Sequence, residues 1–155
     1  MEDPNELTPA FEEARRRRAD LHAGLVKVED AVSGPAAGRA DQWASEVINR
    51  LTGLRDALDE HIEVTERRGG LYDEITGRAP RLANAVERLK AEHPEMRSAI
   101  SQMIERLQST PVGDAWPLEK ARDDLQRLLG RVVKHRQLGA DLVWEAYNLD
   151  IGGIE

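Results

Sequence analysis

The stretch "LDEHIEVTERRGG" sets a histidine, His61, among acids near the end of a long amphipathic segment. Neutral imidazole is the commonest protein ligand for transition metals, so a histidine in that setting suits a metal site inside a helix bundle. It equally suits an ordinary helix end dressed in charge. The chain has four histidines, His22, His61, His93 and His135, and apolar spacing places one on each of four expected helices. At about 100° per residue, three fall on the apolar stripe of their helix. His61 lies between Leu54 and Thr65, His93 between Leu89 and Ile100, and His135 between Leu128 and Leu142. His22 sits roughly 80° from the centre of its own stripe and reads as a flank residue. A buried imidazole must satisfy one donor and one acceptor nitrogen. A single one usually does so with a carbonyl or hydroxyl. Three converging from separate helices satisfy one another poorly, and a cation that accepts their lone pairs resolves the conflict.

The elements that must bring these rings together are legible from the turn signals. "SGPAAGRA" at 33–40, "RRGG" at 67–70 with "TGRAP" at 76–80, and "STPVGDAWP" at 109–117 each break a periodic pattern. Between them the apolar residues recur at helical spacing, predicting helices over about 8–32, 41–67, 81–108 and 117–148. Thr8 is a plausible N-cap ahead of Pro9. Short connections imply antiparallel neighbours, so the expected fold is all-α, an up-down-up-down four-helix bundle forming one domain over 1–155. "LYDEI" at 71–75 adds a short extra helical turn between helices two and three. With about 1.5 Å of rise per residue, the three inward histidines lie near one level.

Composition narrows the function classes. Charged residues make up 33% and aromatics 4%, which favours helices burying Leu, Val, Ile and Ala over a sheet protein. The net charge of −7 argues against nucleic acid or an anionic membrane as a partner. Without cysteine there is no disulfide, thiolate nucleophile or iron–sulfur cluster. No apolar run approaches the ~18 residues of a membrane span, and "MEDPNELTP" lacks a signal-like pattern, so a cytoplasmic protein is expected. No nucleophile–base pairing, phosphate-cradling loop or H-E-x-x-H motif is present, and the carboxylates map almost entirely to outer faces. A non-enzymatic role follows.

Taken in order, "LRDALDEHIEVTE", "VERLKAEHPEM" and "LLGRVVKHRQLGADLVWEAYN" resemble the hemerythrin family, the HHE-type four-helix bundles, over about residues 14–148. The resemblance implies a bundle around two non-haem irons that binds dioxygen or senses oxygen and redox state. The family's ligands are a His on the first helix, His-x3-Glu on the second, His-x3-His on the third and His-x4-Asp or Glu on the fourth, with two bridging carboxylates. Carried over, His61, His93 and His135 match three ligand positions. The rest departs. Thr65 stands four after His61, and Glu66 is one step too far, turned roughly 100° off the stripe. Arg97 stands four after His93, and Leu89 four before. Ala140 stands five after His135, with Asp141 facing outward. On the first helix Arg18 occupies the stripe position that matches the family's His, and His22 is off-face.

Two irons a few ångströms apart repel each other and need bridging carboxylates, while three imidazoles beside an arginine suit one Fe or Zn ion with an open position. The expectation is therefore a reduced or lost di-iron site that binds a single metal or a small ligand such as dioxygen. The metal ligands would be His61, His93 and His135. Arg18, His22, Thr65, Glu66, Arg97 and Gly139 are further candidates for the site or its pocket. Two alternatives stay open: a metal-free interaction module, and a true di-iron protein that binds or senses oxygen. A homodimer is compatible with any of these.

Three local features bear on the pocket. "ARRRRAD" at 14–20 reads as a solvated face balanced by Glu12, Glu13 and Asp20, except that Arg18 points inward, where an unpaired guanidinium is costly. Pro94 is expected to kink or interrupt the third helix beside His93. Gly139, one turn past His135, leaves room for a small ligand or for a large neighbour such as Trp144 or Met96. The glycines of "YNLDIGGIE" end the last helix.

Overall fold

A computed structural model describes residues 8–147. The expectations for "MEDPNEL" and for the tail after Tyr147 lie outside the described residues. Four long helices form: α1 Pro9–Val32, α2 Ala40–Glu66, α4 Ala83–Ser109 and α5 Leu118–Tyr147, with a short α3 Leu71–Arg78 and a 3-10 turn Pro80–Leu82 between α2 and α4. No strand is present among the described residues. The all-α bundle and its extra short helix are as the periodicity implies. No helix is long and apolar enough to cross a membrane among the described residues.

Each long helix buries an apolar stripe, and α1 is held at both ends by identifiable contacts. Thr8 caps α1 by accepting from Phe11 N at 3.1 Å, and Pro9 supplies a preset φ where no backbone donor is needed. The far end of α1 exposes carbonyls that the helix cannot satisfy itself. Trp43 Nε1 donates to Val32 O at 3.2 Å, and Arg122 donates to Val32 O at 2.9 Å and Gly34 O at 2.6 Å. The turn from α2 to α3 depends on glycine. Gly69 has φ +77, and a Cβ on Gly70 would stand 2.6 Å from Val64 O.

Two apolar clusters divide the interior, and their order along each helix gives the topology. The larger cluster follows Arg18 in α1 (Leu21 to Val32), precedes His61 in α2 (Trp43 to Leu58), follows His93 in α4 (Met96 to Leu107) and precedes His135 in α5 (Ala121 to Val132). The smaller cluster lies on the opposite side of the same four residues, with Ala14, Val64, Leu89 and Leu142 among its members. Direction therefore alternates through the four long helices. α1 packs on α2, α2 on α4, α4 on α5, and α5 back on α1. Between the clusters runs one polar layer containing Arg18, His61, His93 and His135.

Pro94 does not interrupt its helix: α4 is continuous from Ala83 to Ser109. Proline forfeits one backbone bond, and buried Leu89, His93 and Met96 anchor the helix on both sides of it. α3 closes the end of the bundle below the polar layer. Its Glu74 accepts from Thr8 Oγ1 at 2.6 Å and from Tyr147 Oη at 2.5 Å, tying α1, α3 and α5 together.

Candidate metal centre

His61, His93 and His135 are all buried and come from three different helices. Each offers a ring nitrogen, and the three nitrogens lie within 4.8 Å of one another. The Nε2 atoms of His93 and His135 are 3.2 Å apart. Their other nitrogens are committed outward: His93 Nδ1 to Glu66 Oε2, and His135 Nδ1 to Glu92 Oε1 at 2.6 Å. A carboxylate only accepts, so Nδ1 of each ring carries a proton, and wherever that is the ring's one proton Nε2 keeps its lone pair. Burial, reinforced by the neighbouring His135, lowers the His93 pKa from 6.5 to about 3, which keeps that ring neutral. Facing each other at contact distance, the two Nε2 atoms suit a shared electrophile, for which the Tyr72 hydroxyl is a competing donor at His93.

His61 completes the group. Neither of its ring nitrogens has a hydrogen-bond partner, although both are buried. Burial first, then His93, His135 and Arg18, bring its pKa to about 3. An uncharged ring with two unused nitrogens is costly to bury unless something else engages it. Tyr72, from α3, stacks on His93 with ring centroids 5.9 Å apart and brings its hydroxyl to 3.3 Å from His93 Nε2. Its burial raises the phenol pKa, so the hydroxyl stays a donor.

The family model described as the hemerythrin HHE cation binding domain matches residues 28–138. The chain belongs to this family. No curated protein and no solved structure matches it. The matched span contains all three clustered histidines and omits most of α1, including Arg18 and His22.

Two of the three histidines in this hemerythrin layer stand at a spacing that suits a shared cation. Two imidazole nitrogens bound at about 2.0–2.1 Å to one tetrahedral ion stand about 3.3 Å apart, and the His93–His135 separation is 3.2 Å. The carboxylates of Glu66 and Glu92 lie behind the imidazoles, where they fix the tautomer and raise ligand basicity. Their negative charges favour a cation at the layer.

The remaining sequence candidates separate cleanly. Arg18 and Gly139 line a cavity next to His61. Thr65 also lines it, but its hydroxyl donates back to His61 O at 2.7 Å and serves the helix. Glu66 corrects the reading of an outward residue, because its flexible side chain crosses to His93 although its backbone position is off the stripe. His22 is exposed and outside the layer. Arg97 is also outside it, pairing with Asp59 at 2.7 Å on the surface. Trp144 leaves the space at Gly139 alone, being 47% exposed. Sequence reasoning missed Tyr72 and Glu92 at the histidines and Arg136 on the wall of the neighbouring cavity. The adjacency of Glu92 to His93 was a signal of a kind, but the residue serves the histidine of the next helix instead.

Proposed function

We propose that this hemerythrin-family bundle binds one divalent transition-metal ion, Zn²⁺ or Fe²⁺, through His61, His93 and His135, and is not an enzyme. The reading rests on one observation. The Nε2 atoms of His93 and His135 converge at 3.2 Å while both Nδ1 atoms are held by carboxylates. A di-iron pair is disfavoured on this reading, because among the described residues the cluster holds three imidazoles and no carboxylate. Nothing in it would bridge two ions or offset their repulsion. Three protein ligands leave a tetrahedral position for a small molecule such as dioxygen, or for water.

Elemental analysis of the protein after chelation and anaerobic reloading tests this directly. One zinc or iron per chain is expected, with a melting temperature that rises on loading, because a ligand that binds only the folded state stabilises it. Two irons per chain, or no uptake with no change in melting, would overturn the proposal.

A second reading, an interaction module, draws on the outer face of α5. Val133 is 49% and Trp144 47% exposed, and about three helical turns separate them, which puts them on one face. A homodimer through this face would dissociate in Trp144→Glu, read by light scattering. A wild-type monomer at all concentrations would dismiss it.

A further inference from the structure

A cavity of about 30 Å³ lies beside His61, with walls from α1, α2, α3 and α5. Three arginines line it, Arg15, Arg18 and Arg136, and no acidic residue does. That is unexpected in a chain of net charge −7. Arg15 is exposed and has Glu12 at 3.8 Å. Arg18 is half-buried in the polar layer and makes no hydrogen bond or ion pair among the described residues. Arg136 Nε is buried without a partner. Burial and the charges of Arg136 and Arg15 all work against the Arg18 cation and lower its pKa. A guanidinium cannot escape by losing its proton, so Arg18 and Arg136, partly desolvated and without a protein partner among the described residues, favour an anion beside them.

The other walls define what kind of anion. Phe11, Leu71, Ile75, Leu142 and Val143 make the surface mostly apolar. An apolar pocket with a few convergent polar groups is the usual form of a small-molecule site. A planar two-oxygen head matches the guanidinium fork better than a halide would. Since a water needs about 10–15 Å³ of such space, a volume of about 30 Å³ admits only a few heavy atoms.

We propose that this cavity binds a small monocarboxylate, of formate or acetate size, with its oxygens on Arg18 and Arg136 and its carbon end against Phe11, Leu142 and Val143. The site goes beyond the metal reading and does not require it, since the arginines and apolar walls belong to the protein alone. It adjoins the histidine cluster, with His61 and His135 both in its wall, while its arginines and apolar residues lie outside that cluster.

Calorimetric and thermal-shift titration of the chelated protein with sodium acetate, at constant ionic strength, tests it, with acetamide as the neutral isostere. So few heavy atoms cannot bind tightly, so the titration extends to roughly tens of millimolar. Expected results are saturable heat and a rise in melting temperature with acetate, and neither with acetamide. Arg18→Gln should weaken acetate at least about tenfold, the loss typical of a hydrogen bond to a charged group. It should not lower the melting temperature of the anion-free protein. Arg136→Gln gives a second, independent variant, and Arg97→Gln, away from the cavity, should leave binding unchanged. Equal effects of acetamide and acetate, no saturation, or unchanged binding in both cavity variants would overturn the proposal. Because the chelated protein is used, a failure of zinc uptake leaves this result intact, and zinc uptake without acetate binding defeats only this inference.

Discussion

Glu66 sits one residue past the inward face of α2, and its carboxylate nevertheless accepts a hydrogen bond from His93 Nδ1 on α4. Glu92 does the same for His135 on α5 at 2.6 Å. Each pair joins two helices and turns one imidazole so that Nε2 faces the interior. The layer is thus pre-oriented by acids at its rim, and only about a third of the Glu66 side chain remains accessible, at 33%.

Replacing Glu66 or Glu92 by glutamine should lower zinc affinity by about 10- to 100-fold each, the usual cost of losing the partner behind a ligating histidine. Competition with a chromogenic chelator measures this. The melting temperature of the chelated protein should move little, since an amide oxygen still accepts from Nδ1. Unchanged affinity in both variants would show that the carboxylates only tie the helices together.

The fold was legible because it is written redundantly. Leu21, Leu25, Val28 and Val32 repeat at helical spacing, and so do their counterparts on the other long helices, so no single residue decides the outcome. The histidine layer was legible for the same reason, since the position of a backbone on a helical wheel fixes which face it shares. What the wheel cannot show is the reach of a long side chain. Glu66 and Glu92 cross between helices through flexible methylenes, and Tyr72 enters from a short helix whose docking depends on tertiary contacts with Glu74. Trp116 lies in a stretch that reads as turn, yet it is 1% exposed, with Nε1 donating to Asp124 at 3.0 Å and Arg106 over its ring. Loop residues carry no periodicity from which burial can be inferred.

Stability of the chelated protein should fall on acidification. His61 and His93 have folded-state pKa values of about 3 against 6.5 for the free side chain. Below 6.5 the unfolded chain takes up protons that the folded rings refuse until the pH approaches 3. The unfolded state therefore binds more protons across that window, and unfolding becomes easier as pH drops through it, by roughly 1 kcal/mol per pH unit for each ring. Above the window neither ring contributes. Urea unfolding of the wild type and of His61→Leu across the window reads the difference, and identical slopes in the two proteins would show that His61 does not carry its share.

His93→Leu should abolish stoichiometric zinc uptake while the helical signal in circular dichroism survives. The leucine removes one of three ligands and keeps an apolar body of similar size between Leu89 and Met96. Retained uptake at one zinc per chain would move the ion elsewhere.

Trp43→Ala should cost about 3–5 kcal/mol in chemical denaturation, within the range for truncating a buried aromatic. Trp43 is fully buried at 0% exposure, and its indole N–H also covers the terminal carbonyl of Val32. Trp144→Ala, by contrast, should stay within about 0.5 kcal/mol of wild type in the monomer, as surface changes usually do.

Gly139 separates helix stability from cavity space. It lies inside α5, and a Cβ built there meets nothing within 4 Å. Gly139→Ala should therefore stabilise the protein by up to about 1 kcal/mol, the difference in helix propensity between the two residues. The methyl group removes little room, so acetate binding should persist. Gly139→Leu keeps a good helix former but extends a side chain toward the same cavity that Arg18 and Arg136 line. It should hold or raise the melting temperature and lose acetate binding. A Leu variant that still binds acetate as tightly as wild type would place the anion away from this cavity, and an Ala variant that melts lower would show that the glycine is there for a backbone reason.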